Sequence, residues 1–290
     1  MKLFFLLISF IFFTSCSNNE TQKLKIVTNS WIGYTPIFYA NEKNYLTPLN
    51  VELISTVSLG ESTDIFSIAK ADMITSTQHE YNSLKKSFKT LVPVILIDRS
   101  YGGDMILSNR TISELKKSKE IVVYLEIDSI NREMIKDFIT KYKLNQTKIK
   151  YINKDQAKLQ NIKYDMKNQD IIIVTYIPYN IGLEEIGFKN IATTKELDTL
   201  LVIDAIYTTK KTLKANKERL LELKAIIDKS ITEIESHPKE AYKLTHKYLG
   251  NISYKEFLNS LKMIKWINHP SDTLLQKIGT INLEGRYIIQ

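Results

Sequence analysis

The chain has one cysteine, 9 glycines, 6 prolines and four histidines in its 290 residues. A single cysteine allows no internal disulfide, so stability must come from a packed core. The histidines, His79, His237, His246 and His269, show no metal-ligand spacing, and no metal site is expected. The glycines form neither a phosphate loop, a dinucleotide fingerprint nor a Gly-x-Ser-x-Gly elbow, and no cofactor is expected. Carboxyl groups are plentiful, but no spacing fixes two of them as acid and base, and no nucleophile has an obvious base beside it. These absences count against an enzyme.

Long apolar runs are equally scarce, apart from Leu3 to Phe13, which follows Lys2 and leads through Thr14 and Ser15 to Cys16. That run is too short to span a bilayer, which takes about 20 residues, but it suits the core of an export signal. The small residue before the lone cysteine resembles a bacterial lipoprotein signal, which would make Cys16 the lipidated first residue of the mature protein. "SNNETQK", residues 17–23, reads as a polar tether. A formal net charge of +8 could suit nucleic acid. The lysines, however, are scattered among glutamates on helical stretches, and export removes that partner, so a solvated basic surface is the expected reading.

Beyond the tether, short apolar runs alternate with segments of helical period. Strands are expected at Leu24–Asn29, Val51–Ser55, Asp72–Thr75, Leu91–Asp98, Ile121–Leu125, Ile149–Ile152, Asp170–Thr175 and Leu200–Thr208. The alternation argues for an α/β fold with mainly parallel sheets flanked by helices. Thr111 with Glu114 and Ser253 with Glu256 have capping-box spacing, Pro238 suits a first helical position, and Leu213 to Ile234 reads as one long helix.

Six unusual loops fall where the expected strands end: "WIGYTP" after the first, then "TVSLGES", "TSTQHE", "DRSYGGD", "EIDSIN" and "TYIPYN". In an open parallel sheet, ligands bind outside the carboxyl ends of the strands, so these loops should converge on one cleft. Their hydroxyls, amides and helix-start N–H groups suit a small polar solute, including Ser58 in the second loop, with tryptophan and tyrosine rings as walls. The first loop poses a particular question, because two aromatics replace the soluble residues that a turn normally carries.

In order and spacing, "KIVTNSWIGYTPIFYANEKNYL", "STQHEYNSL", "PVILIDRSYGGDMILS", "IVTYIPYN" and "LLVIDAIYTTKKTLKAN" resemble the periplasmic substrate-binding proteins of the nitrate, sulfonate and taurine uptake group. That group includes binders of thiamine pyrimidine precursors, and the resemblance runs from about Leu24 to Trp266. It implies a two-lobed type II periplasmic binding protein with two crossover strands. Lobe one would take residues 24–97 and 204–290, and lobe two residues 98–203. It implies a monomer, exported and lipid-anchored to the membrane, that captures a small solute between its lobes and delivers it to an inner-membrane ABC permease without enzymatic activity. Two other readings stay open: a lipoprotein that reports its solute to a membrane receptor, and an enzyme akin to the pyrimidine synthases that share this fold.

Carried over by residue, the resemblance places Trp31, Gly33 and Tyr34 in a W-x-G-Y loop bordering the cleft. Thr75, Thr77 and Glu80 match a T-x-x-E loop, and Asp98, Ser100, Gly103 and Asp104 a D-x-S-x-G-x-D crossover. Ser129 and Asn131 would open a helix facing the cleft. Tyr176, Pro178 and Tyr179 match an aromatic motif in which Ile177 replaces the usual glutamate, and Asp204 an acidic position on the return crossover. Because Ile177 removes a carboxylate while Arg99 and Arg132 stand close in sequence to the cleft loops, the expected solute is anionic and sulfonate-like. The competing reading leaves both arginines at the surface and the cleft to its acids.

Overall fold

The computed structural model describes residues 22–197 and 200–290. The expected signal and tether up to residue 21, including Cys16, lie outside the described residues. Two sheets organise the chain. The first combines β1 (Leu24–Asn29), β2 (Val51–Thr56), β3 (Met73–Thr77), β4 (Leu91–Ser100), β10 (Ile203–Thr209) and β11 (Ile264–Trp266) in the order β11-β4-β10-β3-β1-β2. The second combines β5 (Asp104–Ser108), β6 (Glu120–Leu125), β7 (Lys148–Asn153), β8 (Asp170–Tyr176) and β9 (Lys189–Thr193) in the order β7-β6-β8-β5-β9. Each sheet supports one lobe. The chain crosses from the first to the second between β4 and β5 and returns between β9 and β10. Among the described residues, no helix is long and apolar enough to cross a membrane.

All eight expected strands form, each within a few residues of its expected ends. The sheets, however, are mixed. β1 pairs in parallel with β2 and β3, and β6 with β7 and β8. β10 runs antiparallel to β3 and β4, β11 to β4, and β5 to β8 and β9. β5 and β10 enter their sheets from the other lobe with no βαβ crossover, which leaves them free to run antiparallel to their neighbours. Both expected capping boxes form, and Pro238 opens its helix. The long helix is broken at Asn216 into Lys210–Ala215 and Lys217–Ser236, the latter burying Leu220, Leu223, Ile227, Ile231 and Ile234.

The crossovers are tied together. The Ser100 hydroxyl lies 3.0 Å from that of Thr194 and accepts from the Asp104 N–H at 3.0 Å, while the Gly102 N–H donates to Thr194 Oγ1 at 2.7 Å. The Gln78 side chain holds the return segment, donating to the Leu201 carbonyl and accepting from the Ile203 N–H at 2.9 Å. Gly103 is confined, since a β-carbon there would lie 2.5 Å from the Trp31 ring and 3.2 Å from the Met263 carbonyl oxygen. Gly103→Ala is therefore expected to cost about 1–3 kcal/mol by overpacking, read as a lower urea midpoint with an unchanged slope. An unchanged midpoint would show that the crossover has room to spare.

Candidate functional site

At the carboxyl ends of β1, β3 and β8 the two lobes enclose a cavity lined by Asn29, Trp31, Tyr34, Leu59, Thr77, Asp104, Ile130, Tyr176 and Asp204. Its volume is about 10 Å³, room for about one water in this closed arrangement. The first lobe contributes Trp31, Tyr34, Thr77 and Asp204, and the second Asp104, Ile130 and Tyr176. Outside it, an open groove of about 590 Å³ runs past Leu59, Glu80 and Ser129.

The loop "WIGYTP" is not exposed. It winds into a 3-10 turn at Ile32–Tyr34 and then the Thr35–Glu42 helix, and every residue from Trp31 to Ala40 is buried. The reason is electrostatic. The Trp31 indole N–H points at both Asp98 carboxyl oxygens, 3.3 Å from each, and the Tyr34 hydroxyl donates to Asp204 Oδ1 at 2.5 Å. Trp31 also meets Tyr176 edge-on at 6.0 Å, so the ring is at once lobe core and cavity wall. Gly33 makes the approach possible, because a β-carbon there would sit 1.9 Å from Asp98 Oδ2.

The acids that these rings serve are neighbours by strand register. Asp204 on β10 stands opposite Thr77 on β3 and Asp98 on β4. The next partner of Ala205 is Leu96, so Ile97 is an extra residue on β4, a bulge that re-aims Asp98. Asp98 is fully buried and Asp204 is 3% exposed. Burial and then the charge of Asp204 push the Asp98 carboxyl well above its ordinary range. Burial likewise raises Asp204, partly offset by the Tyr34 hydrogen bond. Asp104 is raised to about 7, chiefly by burial, with the Ser100 contact pulling down and Glu80 pushing up. Glu126, at the groove, is raised to about 8 by burial, Asp155 and Glu80.

Glu80 bridges the lobes. Its Oε2 accepts from the Thr77 hydroxyl and, at 3.1 Å, from the Thr77 N–H, completing a capping box on the Gln78–Ser87 helix. Its Oε1 accepts from the Ile130 N–H at 2.9 Å, at the start of the Ile130–Tyr142 helix of the second lobe. Tyr179 makes a second bridge, its hydroxyl donating to the Val57 carbonyl.

Of the expected site residues, Trp31, Tyr34, Thr77, Asp104, Tyr176 and Asp204 line the cavity, with Gly33, Glu80 and Asp98 in contact with its walls. Ser58 and Ser129 cap their helices beside the groove. Asn131 is buried, and both its side-chain polar atoms lack partners. Two residues are engaged elsewhere, Thr75 donating to the Thr28 hydroxyl at 2.7 Å and Ser100 tying the crossover, while Arg99 sits half-buried on β4 opposite Ile203 and Lys265 with its buried Nε unpartnered. Arg132 stacks on Tyr151 at 4.3 Å, beside His79 in a different surface depression. Ile177 is buried in the core. Sequence reasoning missed Asn29 and reached Leu59, Glu126 and Ile130 only as members of the expected cleft loops. The signal for Asn29 was its place as the last residue of β1, and Glu126 follows β6 in the same way.

A buried acid with a raised pKa binds its proton more tightly folded than unfolded, so its penalty is absent below about pH 4 and grows as pH rises toward the folded value. For Asp104 the stability of the empty protein should fall between pH 5 and 7 by up to about 1.4 kcal/mol per pH unit. Urea unfolding at each pH should show this slope, and Asp104→Asn should flatten part of it. A wild-type profile that is level or rising over that range contradicts the placement of the acids.

Comparison with solved structures places this architecture among known folds. The ligand-binding component of an ABC-type import system from Staphylococcus aureus superposes with a TM-score of 0.70 at 13% identity, covering 90% of each chain. The periplasmic aliphatic sulphonate-binding protein SsuA of Escherichia coli gives 0.69 at 14% identity, over 93% of this chain and 94% of that one. The alkanesulfonate-binding protein of Xanthomonas axonopodis pv. citri, bound to MOPS, gives 0.67 at 10% identity over 92% and 94%. Comparison with curated proteins by sequence finds no match. The periplasmic binding protein fold is thus common to all of these chains. Residues 31–241, which hold the aromatic loop, both crossovers and every wall of the cavity except Asn29, match the family described as NMT1/THI5 like, and the chain belongs to that family.

Proposed function

We propose that this protein is the solute-binding component of an ABC-type importer, holding a small polar solute between its lobes and passing it to a membrane permease. The observation that carries the reading is the cavity itself. Its walls come from both lobes, and the buried Asn29 Oδ1 and Tyr176 hydroxyl on those walls have no protein partner. Unpaired buried polar atoms cost about 1–3 kcal/mol each, a cost that a solute's hydrogen bonds would remove. The S. aureus neighbour is a ligand-binding component of an ABC-type import system, and the E. coli and Xanthomonas neighbours bind sulfonates, which supports this class of function.

In this reading lobe one takes residues 24–97 and 204–290 and lobe two residues 98–203. Solute enters when the lobes part, since about 10 Å³ admits no organic molecule. The protein binds without transforming its solute, acts as a monomer, and is exported and anchored through lipid on Cys16. Mass spectrometry of the native protein should find acyl chains on an N-terminal Cys16, and high salt should not release it from membranes, because lipid and not the charge of +8 holds it. A mature chain beginning elsewhere refutes the anchor. Deleting the gene should abolish uptake of the solute that stabilises the purified protein in a thermal-shift screen. Intact uptake with loss of a signalling response would instead make the protein a sensor.

A further inference from the structure

The proposed solute-binding role leaves open what the cavity selects, and on that reading the cavity's own chemistry goes further. The charged residues that line it are all acids. Asp104 and Asp204 line it, Asp98 lies behind Trp31, Glu80 closes the seam, and Glu126 stands at the groove. Among the described residues none of these five forms an ion pair. The groove continues the pattern with Glu61, Asp64, Asp128 and Asp155 against Lys158 alone. This is the reverse of the chain's overall charge of +8. Arg99 and Arg132, the cations an anion would need, do not line the cavity.

A second observation points the same way. Asn29, 1% exposed and on the cavity wall, presents Oδ1 with no partner, and Glu126 Oε2 is also unpartnered. These two atoms accept hydrogen bonds, and the unpartnered Tyr176 hydroxyl can accept one as well. The remaining walls, Trp31, Tyr34 and Tyr176 with Leu59 and Ile130, are aromatic and aliphatic, and aromatic faces attract a cation within about 6 Å. Among the described residues no group of three or more His, Cys, Asp or Glu could hold a metal ion.

We infer that the cavity receives the positively charged nitrogen of an organic solute, an ammonium or amidinium group, with Asp104, Asp204 and Asn29 accepting its N–H bonds against an aromatic wall. Asp98 and Glu80 add negative potential from behind that wall and from the seam. Sulfonate or nitrate in the same place would meet the carboxyl groups of Asp104 and Asp204 with no cation among the lining residues.

The test is calorimetry and thermal shift on the purified protein with propylamine, 1,4-diaminobutane, acetamidine and 4-aminopyrimidine as cationic or protonatable probes, and with propanesulfonate and nitrate as the opposing arm. At least one of the first set should bind and raise the melting temperature, while propanesulfonate and nitrate should not. Asp204→Asn and Asp104→Asn should each weaken that binding by about 30-fold or more, and Arg99→Ala should change it by less than about 2-fold. Both aspartate variants keep side-chain size and remove a buried like charge, so their own melting temperatures should match or exceed wild type, which separates lost binding from lost folding. Binding of propanesulfonate or nitrate in preference to every amine, or amine binding indifferent to Asp204→Asn, would overturn the inference while leaving the solute-binding role intact. If no probe of either charge binds, the inference fails and so does the capture of small solutes on which it rests.

Discussion

Two carboxyl groups on adjacent strands, buried and side by side, are the constraint around which the rest of the site is arranged. Register alone places Asp98 opposite Asp204, where like charges repel, and burial removes the water that would screen them. The fold answers with the two donors of the first loop, the Trp31 indole and the Tyr34 hydroxyl. Those donors must reach inward from the end of β1, and a side chain at position 33 would block them, which is why Gly33 stands between. The aromatics that look misplaced in a surface turn are thus the protein's internal partners for its own acids. Their hydrogen bonds offset only part of the burial, and both carboxyl groups stay well above their usual range.

The same economy links the lobes. Glu80 finishes the capping box of its own helix with one oxygen and takes the first N–H of a second-lobe helix with the other. A helix start is a favourable place for an acid, so this contact draws the lobes together. On the proposed solute-binding reading, parting of the lobes would return water to Asp104 and Asp204 on the cavity wall. On that reading, closure without solute sets the Glu80 and Tyr179 bridges against the burial of those acids.

Much of this could be read from the sequence, because strand-forming runs and cap residues are local signals. The eight longer runs, both capping boxes and the convergence of loops at strand ends are decided within a few residues of each feature. What escaped is decided across the fold. β5 starts directly after "YGG", so its first residue, Asp104, read as the end of a loop when it opens an interior strand of the second sheet. The choice between Asp98 and Arg99 as the cleft residue turned on strand phase. Bulges near Ile97 and Val94 alter that phase, and no pattern in β4 announces them. The break at Asn216 and the burial of Trp31 likewise depend on what packs against them. The resemblance pointed to loops that meet at the cavity, while the sign of charge there depends on which way each side chain points.

In the inferred cation site Asp104, raised to about 7, and Glu126, raised to about 8, would hold part of their protons near neutral pH. Binding a positive charge beside such groups must expel protons, whereas binding an anion must recruit them. Calorimetry of solute binding near pH 7, repeated in buffers of different ionisation enthalpy, counts those protons. Net release that vanishes in Asp104→Asn is the result the account predicts. Net uptake on binding, or an exchange unchanged by Asp104→Asn, would contradict it.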